Sequence, residues 1–258
     1  MSLWIRELTA GYRRRTVLEG IALQPFPEGS LIGVIGRNGA GKSTLLKSLA
    51  GLQPYRGDVL FDNQPINLKK WGTLASQLGY LPQSLPQPTS LIAYETVFSA
   101  SRAMINSFDR AKLEAAIERV FATLGIRELA LRKLSELSGG QRQMIGLAQV
   151  LVRSPRLLLL DEPTSALDLH WQLNVLNCVR DVTREQEATA MVAIHDINLA
   201  LRFCDQLLVL GQGGVLAQGP AREVLTPEVL REAYGIEGRI ERCSNGTPIV
   251  LCDRAIEH

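Results

Sequence analysis

The segment "GRNGAGKST" (36–44) follows the apolar run "LIGVI" (31–35), and this pair limits the possible folds more than any other feature. The spacing Gly-x-x-x-x-Gly-Lys-Ser lets consecutive backbone N–H groups turn inward around phosphate oxygens, because glycine adopts the dihedrals this needs. "LIGVI" reads as a buried strand, and "KSTLLKSLAG" (42–51) as a helix whose positive end points at the anion. Leu45, Leu46 and Leu49 form its apolar stripe, and Gly51 is its stop. Gly36, Arg37, Asn38, Gly39, Ala40, Gly41, Lys42, Ser43 and Thr44 are thus expected to cradle phosphates. Lys42 would reach the β- and γ-phosphates as a point charge, and the Ser43 hydroxyl would sit on Mg²⁺.

Such a start predicts an α/β fold. Residues 1–82 carry short apolar segments between turn residues: "LWIREL", "VLEGIALQ", "SLIGVIG", "GDVLFDN" and "LGYLPQ". They suggest an antiparallel layer beside the first parallel strand. The basic run Arg13–Arg15 falls between two of them and reads as a solvated hairpin turn. After residue 82 the pattern turns helical. In "FDRAKLEAAIERVFATLG", Asp109 is the cap, Leu113, Ala116, Ile117, Val120, Phe121 and Leu124 share a face, and Gly125 ends the helix. From residue 156, strand and helix alternate through "LLLLDEP", "HWQLNVLNCVRDVTRE", "ATAMVAIH", "DINLALRFC" and "DQLLVLGQGG", which favours a mostly parallel sheet. One more helix, "TPEVLREAYG", has Thr226 at its cap and Pro227 at its first position. The expected organisation is a nucleotide-binding α/β core with its antiparallel layer, residues 1–82 and 156–258, interrupted by a mainly helical insert at 83–155.

Composition excludes several classes. With 28 basic and 26 acidic side chains the net charge is +2, which gives no basic stripe for a nucleic acid. The cysteines at 178, 204, 243 and 252 form no C-x-x-C pair, so reduced thiols in a cytosolic protein are expected. The N-terminus has no signal-peptide pattern, and the charge-free stretch Gly72–Tyr94 is too rich in Pro, Gln and Ser to span a bilayer.

"RLLLLDEP" supplies what the glycine loop lacks. Asp161, at the end of a buried strand, would hold the metal directly or through water. Glu162 at the strand's mouth could orient or deprotonate a water aimed at the γ-phosphate. His195 ends another candidate strand, "MVAIHD", where α/β folds bind ligands. Alone it reads equally well as a structural histidine; beside the other two motifs it reads as a γ-phosphate contact.

Between these motifs lies "LSELSGGQRQ" (134–143), which contains LSGGQ. With it, the chain resembles ATP-binding-cassette proteins over nearly its whole length, six separated elements occurring in family order. The resemblance implies an adenine-stacking role for Tyr12 and a link from Mg²⁺ to a transmembrane partner for Gln83. It makes Asp161 the metal carboxylate, Glu162 the catalytic glutamate and His195 the switch histidine. Ser165–Asp168 would be the loop after the strand, bringing Asp168 to the nucleotide. Ser138, Gly139, Gly140 and Gln141 would cap the γ-phosphate held by a second copy, as an anion-binding helix start. Two copies would sandwich two ATP molecules head to tail, ATP closing the homodimer and hydrolysis loosening it.

Finer features resemble the iron-siderophore, haem and cobalamin importer branch: "TSALDLHWQLNVL", "IHDINLALRFCDQLLVLGQGGVLAQGP", "EVLTPEVLREAYGIE" and "GTPIVLC". Two departures stand out. "ETVFSASRAM" lacks the Gly and Pro of the branch's V-x-x-G-R-x-P segment, and "MIGLAQVLV" lacks a central arginine. The resemblance implies an ATP-hydrolysing importer subunit on the cytoplasmic face of the cell inner membrane. Its partners would be permease subunits and, indirectly, a periplasmic or extracellular substrate-binding protein. An iron-siderophore complex is the first expected cargo, with haem and cobalamin as alternatives. A soluble cassette acting on DNA or ribosomes would carry coiled coils, zinc modules or paired cassettes, which 258 residues do not accommodate. A phosphate-loop kinase leaves LSGGQ unexplained. The segment "SLPQPTSLIAYETVFSASR", with Leu91, Ile92, Tyr94 and Val97, would either dock a permease or pack the insert onto the core.

Overall fold

The computed structural model describes residues 3–13, 15–62, 64–66, 77–84, 86–102, 109–165 and 167–256. Arg14, residues 72–76 of the charge-free stretch, Leu85 and Ala166 lie outside the described residues.

In chain order the elements begin β1 (Leu3–Tyr12), β2 (Arg15–Leu23), β3 (Leu31–Ile35), α1 (Lys42–Leu49), β4 (Tyr55–Phe61), β5 (Gln64–Pro65) and β6 (Leu78–Leu81). Three helices follow: α2 (Ala93–Arg102), α3 (Arg110–Thr123) and α4 (Gly139–Leu151). Then come β7 (Leu157–Asp161), α5 (Leu169–Glu185), β8 (Thr189–Ala193), α6 (Ile197–Phe203), β9 (Gln206–Leu210) and β10 (Val215–Pro220). The last described elements are α7 (Pro227–Tyr234), β11 (Ile236–Arg242) and β12 (Pro248–Ala255).

The central sheet runs β10-β9-β3-β8-β7-β6, parallel except for β10. A second, antiparallel sheet runs β2-β1-β4-β5, and β11 with β12 forms a separate ribbon. This is the α/β fold with an antiparallel layer that the sequence predicts. One segment differs from the simplest reading: "LGYLPQ" supplies β6, a parallel edge strand beside β7, and not part of the antiparallel layer.

The central strands are buried on both faces, and side-chain alternation sorts their residues between two cores. Leu31, Leu158, Leu160, Val192, Leu207 and Val209 face a helical layer that includes Val97, Phe121, Met144 and Val175. Ile32, Val34, Leu157, Leu159, Met191 and Leu208 face α1 and the antiparallel sheet, with Ile5, Leu18 and Leu46. Helices α2, α3 and α4 therefore share one apolar cluster with the sheet. Their starts are fixed locally. Asp109 caps α3 by accepting from the Lys112 N–H, and Thr226 caps α7 by accepting from the Val229 N–H. Each such cap stabilises by about 1 kcal/mol.

Candidate nucleotide site

The loop between β3 and α1 is shaped by glycines where other residues would not fit. Gly36 has φ 142°, and a Cβ there would lie 2.3 Å from the Leu210 carbonyl oxygen. Gly41 has φ 104°, and a Cβ would lie 2.4 Å from the Leu18 side chain. The loop is thus seated between the end of β9 and strand β2 of the antiparallel sheet. Behind Gly36, burial pushes the Tyr234 hydroxyl pKa up, while the Gly36 N–H beside it pulls the other way.

Lys42 opens α1 and is only 4% exposed. Its ammonium donates to the Gly36 carbonyl at 2.7 Å and the Arg37 carbonyl at 3.1 Å. Burial lowers its pKa, and the nearby Glu162 and Asp161 carboxylates oppose that shift. Ser43, one residue on, donates its hydroxyl to Asp161 Oδ1 at 2.7 Å. The other oxygen, Oδ2, accepts from the Tyr80 hydroxyl at 3.3 Å. Burial and this carboxylate together hold the Tyr80 pKa well above that of a free phenol.

Glu162 follows β7 with φ 52°, a left-handed conformation that costs a glutamate of order 1 kcal/mol and clusters at functional sites. Its carboxylate is held from two sides. His195 Nε2 donates to Oε1 at 2.6 Å, and Gln83 Nε2 donates to Oε2 at 2.6 Å. These residues come from the ends of β8 and β6, so three neighbouring parallel strands deliver one constellation. It borders a cleft of about 460 Å³. Tyr12, Arg15 and Val17 line it together with the loop residues Asn38, Gly39 and Gly41–Thr44 and with Gln83, Glu162 and His195.

The donor set suits a magnesium nucleotide. A serine hydroxyl and a carboxylate 2.7 Å apart are hard oxygen ligands, fitting an ion that takes one or two protein oxygens and completes its shell with phosphate and water.

Ser138, Gly139, Gly140 and Gln141 do not line that cleft. Ser138 and Gln141 form a reciprocal capping box: the serine hydroxyl accepts from the Gln141 N–H at 3.2 Å, and the glutamine oxygen from the Ser138 N–H at 2.9 Å. A Cβ at Gly140 would lie 2.4 Å from the Trp171 indole. Asp168 caps α5 by accepting from the Trp171 N–H at 3.0 Å. Trp171 therefore joins Asp168 to the α4 start.

Sequence reasoning did not single out Tyr80, Val17 or Trp171, and it read Arg15 as part of a solvated turn, whereas Arg15 opens β2 and lines the cleft. The signal for Tyr80 was its place on an apolar strand three residues before Gln83.

Fold and loop define a phosphate-loop nucleotide-binding protein with a second, outlying helix start. The chain belongs to the ABC transporter family, whose model matches residues 18–165. It is similar to the hemin import ATP-binding protein of Bordetella avium, 36% identical, covering 93% of this chain and 94% of that protein. The iron(3+)-hydroxamate import ATP-binding protein of Bacillus subtilis is 34% identical, over 93% of this chain and 90% of its own length. Among solved structures, one described as an inward-facing conformation of a metal-chelate type ABC transporter matches with TM-score 0.83 and 25% identity, covering 98% of both chains. The ABC ATPase domain binds ATP.

Proposed function

We propose that this chain is the ATP-hydrolysing subunit of a metal-chelate importer, with an iron-siderophore complex as its first candidate cargo. The observation that supports hydrolysis most directly is the Glu162 carboxylate, strained into the cleft and held by His195 and Gln83. In this reading Glu162 orients and deprotonates the attacking water, and His195 steadies the γ-phosphate. Lys42 neutralises the β- and γ-phosphates, and Tyr12 offers its face to the adenine. Ser43 and Asp161 would hold Mg²⁺, with Gln83 joining them; bound there, the ion draws charge from the phosphate oxygens. Ser138–Gln141 and Asp168, which do not line the cleft in their own chain, would meet the nucleotide of a second copy. The functional unit is then a head-to-tail dimer, with residues 83–155 as the insert that carries the second helix start.

The cargo reading rests on the hemin and iron-hydroxamate import relatives, and haem or cobalamin remains the alternative. In an iron-starved host carrying the cognate permease, loss of this chain should abolish uptake of a radio-iron-labelled ferric hydroxamate. Unchanged uptake would remove that cargo from the assignment.

No helix among the described residues is long and apolar enough to cross a membrane, and the importer reading calls for a surface contact with permease subunits. We place it along an apolar groove of about 320 Å³ that includes Leu52, Leu81, Pro82, Ala100, Gly146 and Val150. Tyr80 also lines this groove while bonding Asp161, so it joins the groove to the metal side of the site. Of the four apolar residues noted after Gln83, Val97 belongs to the core at 0% exposure, whereas Leu91 is 48% exposed. Cysteines replacing the exposed Ser90 and Ser99 should crosslink a cytoplasmic permease loop, and the yield should change with ATP. Full uptake without capture at either position would overturn the docking assignment.

Tyr12 gives a smaller prediction. It is 46% exposed, so stacking there is half-solvated. Tyr12→Ala should weaken ATP binding by about fivefold, the low end for aromatic–base stacking. Titration with a fluorescent ATP analogue measures it, and a loss as large as that from Lys42→Ala would refute the ranking.

A further inference from the structure

We infer that Asn198 is a positioning residue for His195, and that it acts by clamping the β11–β12 ribbon. The inference rests on the proposed role of His195 at the γ-phosphate.

His195 stands in the turn between β8 and α6, where the backbone has left the sheet. The Ile194 N–H still bonds the Val34 carbonyl, and the His195 ring, 43% exposed, meets Glu162. Asp196 caps α6 through the Asn198 and Leu199 N–H groups. Helix α6 has only seven residues, too few for its own hydrogen bonds to fix its orientation. Its direction, and with it the aim of the preceding turn, must come from outside.

Buried Ala200, Leu201 and Phe203 seat one face of the helix on the core, and the polar contact that ties it to the ribbon is made by one carboxamide. Asn198 Nδ2 donates to the Val250 carbonyl at 3.2 Å, and its Oδ1 accepts from the Val250 N–H at 2.8 Å. Both main-chain groups of one strand residue point to the same side, so the amide stands in for a neighbouring strand. Val250 is 4% exposed and faces Ile240 across the ribbon. Aspartate would lose the donor and set a negative oxygen against the Val250 carbonyl.

At its other end the ribbon closes on the end of α7. The Ile256 N–H bonds the Gly235 carbonyl, at the junction of α7 and β11. Tyr234, the preceding residue, buries its hydroxyl beside the Gly36 N–H, with no bond of normal geometry among the described residues. An exposed two-stranded ribbon is marginal alone. Closed at its root by the Ile256–Gly235 bond and tied to Asn198 along β12, it braces the His195 turn.

The sequence has three histidines, so nitrogen-detected NMR of the full chain gives a small set of ring signals, with His195→Ala assigning one. In Asn198→Ala the His195 ring signals should move toward those of an imidazole free of carboxylate, while His170 stays in place. The kcat should fall about tenfold, since small misplacements of reacting groups are costly. The KM for ATP should change by less than about twofold. Asn198→Asp should show a smaller shift of the same sign. Val250→Ala, which loses packing but keeps both main-chain bonds, should leave the His195 signals unmoved. An unmoved His195 signal in folded Asn198→Ala overturns the inference. If His195→Ala keeps full turnover while Asn198→Ala still moves the signal, the positioning stands and the γ-phosphate role fails.

Discussion

Glu162→Gln is expected to bind ATP like the parent chain and hydrolyse it at least about 100-fold more slowly, as for loss of a general base. The exchange keeps shape and removes charge. Glutamine is no better suited to φ 52° than glutamate, so the strained backbone is shared and cancels in the comparison. Gln83 can still donate to the new amide oxygen, but the amide nitrogen, a donor, then faces His195 Nε2, so that contact is disturbed along with the loss of proton acceptance. Uncleaved ATP should hold two copies together, giving a dimer on size-exclusion chromatography that the parent chain shows only transiently. Near-normal phosphate release from this variant would remove Glu162 from the water-activating role.

Lys42→Ala should act on binding. The ammonium is buried beside Asp161 and Glu162, and those carboxylates favour its charged form despite burial. Each charge-assisted contact to phosphate contributes about 1.5–3 kcal/mol, so losing two weakens ATP binding by roughly 100-fold or more. The substitution also leaves the Gly36 and Arg37 carbonyls without the donor that now joins them, so the loop itself should loosen. The fluorescent titration used for Tyr12→Ala would show the lysine loss as much the larger. Equal losses would place the binding energy on the adenine side.

What was legible in the sequence was mostly local. The loop, its strand and its helix occupy one continuous stretch, and the caps at Asp109 and Thr226 need only the following turn. The apolar strands announced themselves by composition. Less legible was anything set by distant pairing. "LGYLPQ" could not declare itself a parallel edge strand, because its partner β7 starts at Leu157. The contact between Gln83 and Glu162, and that between Gly140 and Trp171, also depend on how separate elements meet. The β11–β12 ribbon was missed despite its Asn245-Gly246 turn, where Gly246 has φ 74°. Its strands are largely exposed and laced with ion pairs such as Arg254–Glu237, so no strong apolar alternation marks them.

The double burial of the central strands has one more consequence. In a sheet with one wet face, a shift by one residue drives oily side chains into water and is rejected. Here it does not, for in "LLLL" a shifted leucine lands where another leucine stood. The alignment must be policed by residues that fit nowhere else. A side chain at Gly33 would strike Leu207 and Cys204, and one at Gly79 would strike Val150 and Pro155. Asp161 completes the set: moved one step inward, it would carry an uncompensated charge among hydrocarbon, away from the Ser43 hydroxyl. The carboxylate proposed to hold the metal therefore also acts as a full stop for its strand. Replacing it with leucine would cost the chain its sense of place as well as a ligand.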